Sequence, residues 1–175
     1  MTARWQASAD AMPTHEPGNS FSAHRTLRPG VVRVEAQLRD FSFPTHSHEH
    51  LCIGLMRNGE YTSRYGLRRY RLGNGDVVLV NPGEVHDGRP SGCRGRTYTM
   101  LEVDPTAYER LCLDAVGRRW IEFPQAVSRN APVRTALSAW LRALSGSDPD
   151  VEHETSTLLL GTLAEGDDRA DPSPR

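Results

Sequence analysis

Three histidines, His46, His48 and His50, alternate within Phe-Pro-Thr-His-Ser-His-Glu-His at residues 43–50. Imidazole is the commonest neutral metal ligand and also a plain hydrogen-bonding group, so this stretch can coordinate an ion or hold a polar ligand. Residues two apart share a face of an extended strand. A strand here would send all three rings into one space. A fourth histidine, His86, ends a second patterned stretch, Gly-Asp-Val-Val-Leu-Val-Asn-Pro-Gly-Glu-Val-His at residues 75–86. If the fold sets the two stretches face to face, His46, His48 and His86 can surround one divalent ion, since a tetrahedral site needs three or four convergent donors. Without a metal, the same rings hydrogen-bond an organic ligand or water. His50 is a hydrogen-bonded pocket residue in either case.

The elements that must position these residues are mostly strands. Residues 31–39 alternate, with Val32, Val34, Ala36 and Leu38 on one face and Arg33, Glu35, Gln37 and Arg39 on the other, the pattern of a half-buried antiparallel strand. Phe41 and Phe43 lead to Pro44, which favours extended backbone before the histidines. Leu51–Met56 is apolar on both faces and belongs inside a sheet. Residues 60–65 and 69–72 read as a hairpin turning at Gly66. Its Arg64, Arg68, Arg69 and Arg71 read as a solvated face. Val77–Val80 is a short buried strand, and residues 96–103 alternate again. Tyr61, Tyr65, Tyr98 and Met100 lie on these strands and can line a pocket, although core packing accounts for each as well. Six or more short strands in close succession predict a β-sandwich or barrel.

The pattern changes at Asp104-Pro105, an N-cap followed by proline at the first helical position. Tyr108, Leu111, Cys112 and Ala115 then share one helical face. From Pro132, Val133, Ala136, Leu137, Trp140, Leu141 and Leu144 recur at three- and four-residue steps, and a second helix follows over roughly 150–165. Together they make an αα-hairpin. The expected organisation is a flexible extension over 1–28, a barrel with one helix over 29–130, the helical hairpin over 131–165 and a linker over 166–175. His15 and His24 fall in the extension and read as solvated.

The bulk properties narrow the function. The chain has 175 residues and a net charge of -1, from 21 Lys+Arg and 22 Asp+Glu. That balance argues against gripping DNA or an anionic membrane through the overall field. Cys52, Cys93 and Cys112 form neither CxxC nor a disulfide framework, which points to reduced thiols in a cytoplasmic protein. The first thirty residues carry no apolar run long enough for a signal peptide or membrane span.

The His-x-His and Pro-Gly-x-x-His stretches, with a Gly-rich hairpin between them, resemble the two motifs of the cupin superfamily. That resemblance implies a small β-barrel with a site inside it, fed by His46 and His48 from the first motif and His86 from the second. The first-motif glutamate is missing, and Cys52 stands in its place before the closing Gly59. A thiolate beside imidazoles suits zinc or nickel better than iron. Residues 43–54, 75–88 and 98–104 together resemble more closely the N-terminal effector-binding domain of AraC-type transcription regulators, over about residues 30 to 165. The resemblance implies a mainly β fold, a cupin-like or jelly-roll-like antiparallel barrel followed by a C-terminal helical hairpin. It also implies a small effector bound among His46, His48, His50, Tyr61, His86, Tyr98 and Met100, and a homodimer formed partly through the helices. DNA would be reached only through a helix-turn-helix domain not in this chain, so the sequence reads as the sensing half of a longer regulator. The alternative is a stand-alone metal-dependent cupin enzyme of dioxygenase or isomerase type.

Overall fold

The computed structural model describes residues 18–92 and 95–166. Among the described residues nine strands come first, β1 (Ser20–Arg25), β2 (Val31–Leu38), β3 (Phe43–His46), β4 (Leu51–Gly59), β5 (Tyr61–Tyr65), β6 (Arg68–Leu72), β7 (Val77–Val80), β8 (His86–Pro90) and β9 (Arg96–Val103), and a short tenth, β10 (Val127–Ser128), comes later. Helix α1 (Pro105–Val116) precedes β10, and α2 (Ala131–Ala143) and α3 (Pro149–Gly166) follow it. All strand pairs are antiparallel. One sheet has the order β1-β2-β9-β4-β7-β10 and the other β3-β8-β5-β6. The fold is mainly β, a cupin-like barrel of two sheets with a C-terminal helical region.

Strand alternation divides the interior into two cores. In β4, Leu51, Ile53 and Leu55 face outward onto the helices, where they pack with Leu101, Val103, Tyr108, Leu137, Trp140 and Leu160. Cys52 and Met56 face inward and join Tyr61, Tyr65, Leu72, Val78 and Val80 between the sheets. A strand covered on both sides must be apolar on both, which is why Leu51–Met56 lacks alternation. Gly54 sits between these inward positions. A Cβ there would lie 2.6 Å from Met100 Sδ, so glycine leaves the space in which Met100 lies across the sheet.

The helices begin after Asp104. Its carboxylate accepts from the Ala107 amide at 2.7 Å, and Gly117, with φ of 66°, ends α1 in the left-handed region, where glycine carries no steric cost. Gly30 (φ +81°) lets the start of β2 approach this cap, because a Cβ would meet Asp104 Oδ2 at 2.4 Å. The apolar stripe of α2 is used up within the protomer: Val133, Ala136, Leu137, Trp140 and Leu141 are all buried.

Two expectations change. Within the extension expected over 1–28, Ser20–Arg25 pairs with β2 along its whole length, so this part is a strand of the barrel. His24 on it is exposed. Residues 1–17, with His15, lie outside the described residues, as do Cys93 and the linker expected beyond residue 166. The histidine stretch is the second change. Strand β3 stops at His46, and its pairing with β8 shifts register between Phe43 and His46. His48 and His50 therefore sit in the connection to β4, and strand alternation does not align the three rings.

Candidate functional site

His46 and His86 are brought together as a direct cross-strand pair between β3 and β8. Their ring centroids lie 4.3 Å apart. His48 reaches them from the following loop, which is pinned by a hydrogen bond from the Gly83 amide to the His48 carbonyl at 2.8 Å. Gly83 belongs to the Asn-Pro-Gly turn before His86, so the two histidine stretches hold each other in place. The His48 ring lies 5.0 Å from His86 and 5.9 Å from His46. One ligand atom from each of the three falls within 4.8 Å of the others.

The backbone sets the tautomer of every ring. Nδ1 of His46 lies 2.7 Å from the Pro44 carbonyl, Nδ1 of His48 2.9 Å from the His50 carbonyl, and Nδ1 of His86 2.9 Å from the Glu84 carbonyl. A carbonyl can only accept, so each Nδ1 carries the proton and donates. That leaves the lone pair on each Nε2 to accept, from a ligand or, at His48, from the Cys52 thiol. Burial pushes the His86 imidazole down to about 4, with His46 and His48 adding to the effect, and burial also lowers His48. The arrangement is three oriented imidazole acceptors, each held by a backbone carbonyl on its other nitrogen, as metal-ligating histidines are. The group fits one divalent ion at about 2.0–2.1 Å from each nitrogen after small ring rotations.

Cys52 and His50 stand apart from this group. Cys52 Sγ lies 3.6 Å from His48 Nε2, but it does not join the three-atom convergence. Burial, then Glu102, raises its thiol well above the ordinary value, so it stays protonated and serves as a donor to His48. The His50 ring centroid is 6.4 Å from that of His48, and its carbonyl accepts from His48 Nδ1.

Below the histidines the barrel holds a pocket. Its lining includes Val34, Phe43, Tyr61, Tyr98, Met100 and Glu102 beside the three histidines. A water centre can occupy about 90 Å³ of it, several times the roughly 10–15 Å³ that one water needs. Tyr61, Tyr98 and Met100 line the pocket and also pack in the inner core. Three charged residues also line the pocket, Asp87 from β8 and Arg96 and Glu102 from β9. Arg96 and Glu102 are legible in the alternation of β9, where they share the inward face with Tyr98 and Met100. Burial pushes the Glu102 carboxyl up to about 7.

This shift makes stability pH-dependent. The usual carboxyl value is 4.5, so between about 4.5 and about 7 the folded chain holds a proton that the unfolded chain releases. Stability therefore falls as pH rises through that window. Glu102→Gln keeps the shape and removes the titration. The variant is expected to exceed wild type by on the order of 2 kcal/mol at about pH 8, the half-buried position reducing the full effect. The difference should vanish toward about pH 4.5, as read from urea midpoints. Equal midpoints at both pH values would contradict a desolvated carboxyl.

The model of the AraC-like ligand binding domain matches residues 28–163. The chain belongs to that family. Among curated proteins it is similar to an uncharacterized HTH-type transcriptional regulator, YbfI, of Bacillus subtilis (strain 168), with 26% identity over 102 residues. That match covers 58% of this chain and 36% of the regulator, so the chain spans about a third of its relative's length. Among solved structures, KdgF from Halomonas sp. is similar at 19% identity and a TM-score of 0.45, over 52% of this chain and 85% of that one. An uncharacterized double-stranded β-helix protein from Klebsiella pneumoniae is similar at 18% identity and a TM-score of 0.46, over 60% of this chain and 93% of that one. Among the described residues no helix is long and apolar enough to cross a membrane.

Proposed function

We propose that this AraC-like ligand binding domain is the sensing and dimerisation domain of a transcription regulator, and that a small effector enters the barrel past His46, His48 and His86. The carrying observation is the pocket itself, lined by three imidazoles whose Nδ1 protons are held by backbone carbonyls, leaving Nε2 to accept. A divalent ion, zinc or nickel, fits those three nitrogens, and when bound it would supply a Lewis acid at the pocket mouth. An effector shifts a regulator only through unequal affinity for two arrangements. Strand β9 offers the path: Tyr98, Met100 and Glu102 face the pocket, while Leu101 and Val103 pack under the helices.

The test is a thermal-shift screen of small polar metabolites. Stabilising compounds should lose their effect in Val34→Trp, which fills the pocket, while circular dichroism stays unchanged. Stabilisation that survives the filled pocket places binding elsewhere and defeats the reading.

DNA would be reached through a separate helix-turn-helix domain. Residues 1–175 alone are expected to show no sequence-dependent gel retention of duplex DNA at physiological salt, because specific affinity needs a recognition element in the groove. Tight, sequence-dependent retention would contradict this.

The proposed homodimer must use a surface other than the α2 stripe. Val151 and Leu158, 45% and 58% exposed, lie seven residues apart on one face of α3. Sedimentation at tens of micromolar is expected to give a dimer, converted to a folded monomer by Leu158→Glu. Wild type sedimenting as a monomer would count against the pairing.

A metal-dependent cupin enzyme is the second reading. One observation favours it: Glu102, with its raised carboxyl, lines the same pocket as the imidazoles, and a proton donor or acceptor of that kind serves acid–base chemistry. Multiple turnovers of any screened compound, lost in Glu102→Gln, would favour this reading over the sensor.

A further inference from the structure

Arg96 is the most deeply buried charge of the pocket. It is 2% exposed and lines the cavity from the inward face of β9. Its Nη2 donates to the Phe41 carbonyl at 2.9 Å. Its Nε and Nη1 are buried and have no hydrogen-bond partner. None of the ion pairs among the described residues includes it. The guanidinium instead lies near two rings of the pocket wall, 5.2 Å from the centre of Tyr61 and 6.0 Å from that of Phe43.

This is an expensive arrangement for a purely structural residue. A buried guanidinium is normally matched by a carboxylate or by acceptors on all its donors. One backbone carbonyl answers one of three nitrogens here. Glu102 does not complete the match, since it forms no ion pair with Arg96. Buried donors left without acceptors on a cavity wall are satisfied by what enters the cavity. An arginine fork suits a planar oxyanion. The wall beside it is aromatic, from Phe43 and Tyr61, with Val34 and Met100 apolar elsewhere in the lining and the carboxyls of Asp87 and Glu102 its acidic members.

We infer that Arg96 recognises a carboxylate, and that the effector is a small organic acid with an apolar or aromatic body. The inference rests on the reading of this pocket as the effector site. The acid group lies against Arg96, the apolar body against Phe43 and Tyr61, and any polar hydrogen of the ligand faces the imidazole acceptors.

The test compares acids with their uncharged twins. Benzoate and phenylacetate, with benzamide and phenylacetamide, are titrated to tens of millimolar into the 15N-labelled chain, the range expected of ligands this small. In wild type, the acids are expected to shift the amides of Arg96, Tyr98 and His86, with affinity about tenfold or more above the amides, the worth of a charge-assisted hydrogen bond. In Arg96→Met the preference for acid over amide should disappear. The wild-type comparison stands by itself if that variant fails to fold. Amides that bind the pocket as well as the acids overturn the carboxylate assignment and leave the effector pocket standing. Acids that move no pocket amide overturn it as well. Acid-dependent shifts confined to the exposed arginines of β6 overturn both the assignment and the pocket reading.

Discussion

Alanine at His46, His48 or His86 is expected to lower zinc or nickel affinity by about 100-fold or more, because each removes one of three ligands from a site that needs at least three. The expectation follows from the tautomers. Each Nδ1 is committed to a backbone carbonyl, so each Nε2 is the nitrogen left to ligate, and small ring rotations bring the three onto one ion. Elemental analysis of untagged wild type should give near-stoichiometric metal, lost in all three variants. His50→Ala and Cys52→Ser should retain most of it, since neither residue joins the convergence. Metal kept by His86→Ala would show that β3 and β8 do not share a site. Wild type that takes up neither zinc nor nickel on titration would refute the metal centre. The rings would then serve as acceptors for the effector alone.

Trp140→Glu is expected to unfold the domain, and Trp140→Ala to cost about 3–5 kcal/mol. That is a large share of the 5–15 kcal/mol typical of whole domains. Trp140 is fully buried in the outer core, and its Nε1 donates to Glu152 Oε1 at 2.6 Å. Glu152 also accepts from Arg28 Nε at 2.8 Å. One buried carboxylate thus links α2, α3 and the segment before β2. Alanine leaves both a cavity and a carboxylate oxygen without its donor. Trp140→Phe separates the two effects: it keeps much of the volume, so a cost near 1–3 kcal/mol would be the polar share. Urea unfolding followed by circular dichroism measures all three. A Trp140→Glu protein that melts as wild type does would place the helix stripe outside the core.

Much of this architecture was legible because it rests on period. Alternation in residues 31–39 and 96–103 marked two central strands, and the three- and four-residue steps from Val133 to Leu144 marked α2 within a residue or two of Ala131–Ala143. The Asp104-Pro105 cap marked the change from sheet to helix, because capping is a local interaction between near neighbours. The residue types of the site were legible as well, since imidazoles at two-residue spacing are rare enough to notice. The strand at Ser20–Arg25 was less plain. It lies at the edge of its sheet with mostly exposed side chains, so burial imposed no strong pattern on it.

What the sequence by itself determined is therefore the set of elements and the chemistry available to them: a β region, a helical hairpin, and histidines able to bind. Only the tertiary structure decided which side chains meet. His46 meets His86 through strand pairing, His48 joins them through a loop held by Gly83, and His50, in the same loop, lies outside that group of three, because β3 ends at His46. The helix stripe that could have joined two protomers was taken by the outer core. Arg96 and Glu102 became pocket residues only when the second sheet closed over β9. The physical reason is the range of the forces. Capping and periodic burial act within a few residues along the chain. The site depends on register and closure between strands about forty residues apart, and on which buried charges are left without a partner once the barrel has formed.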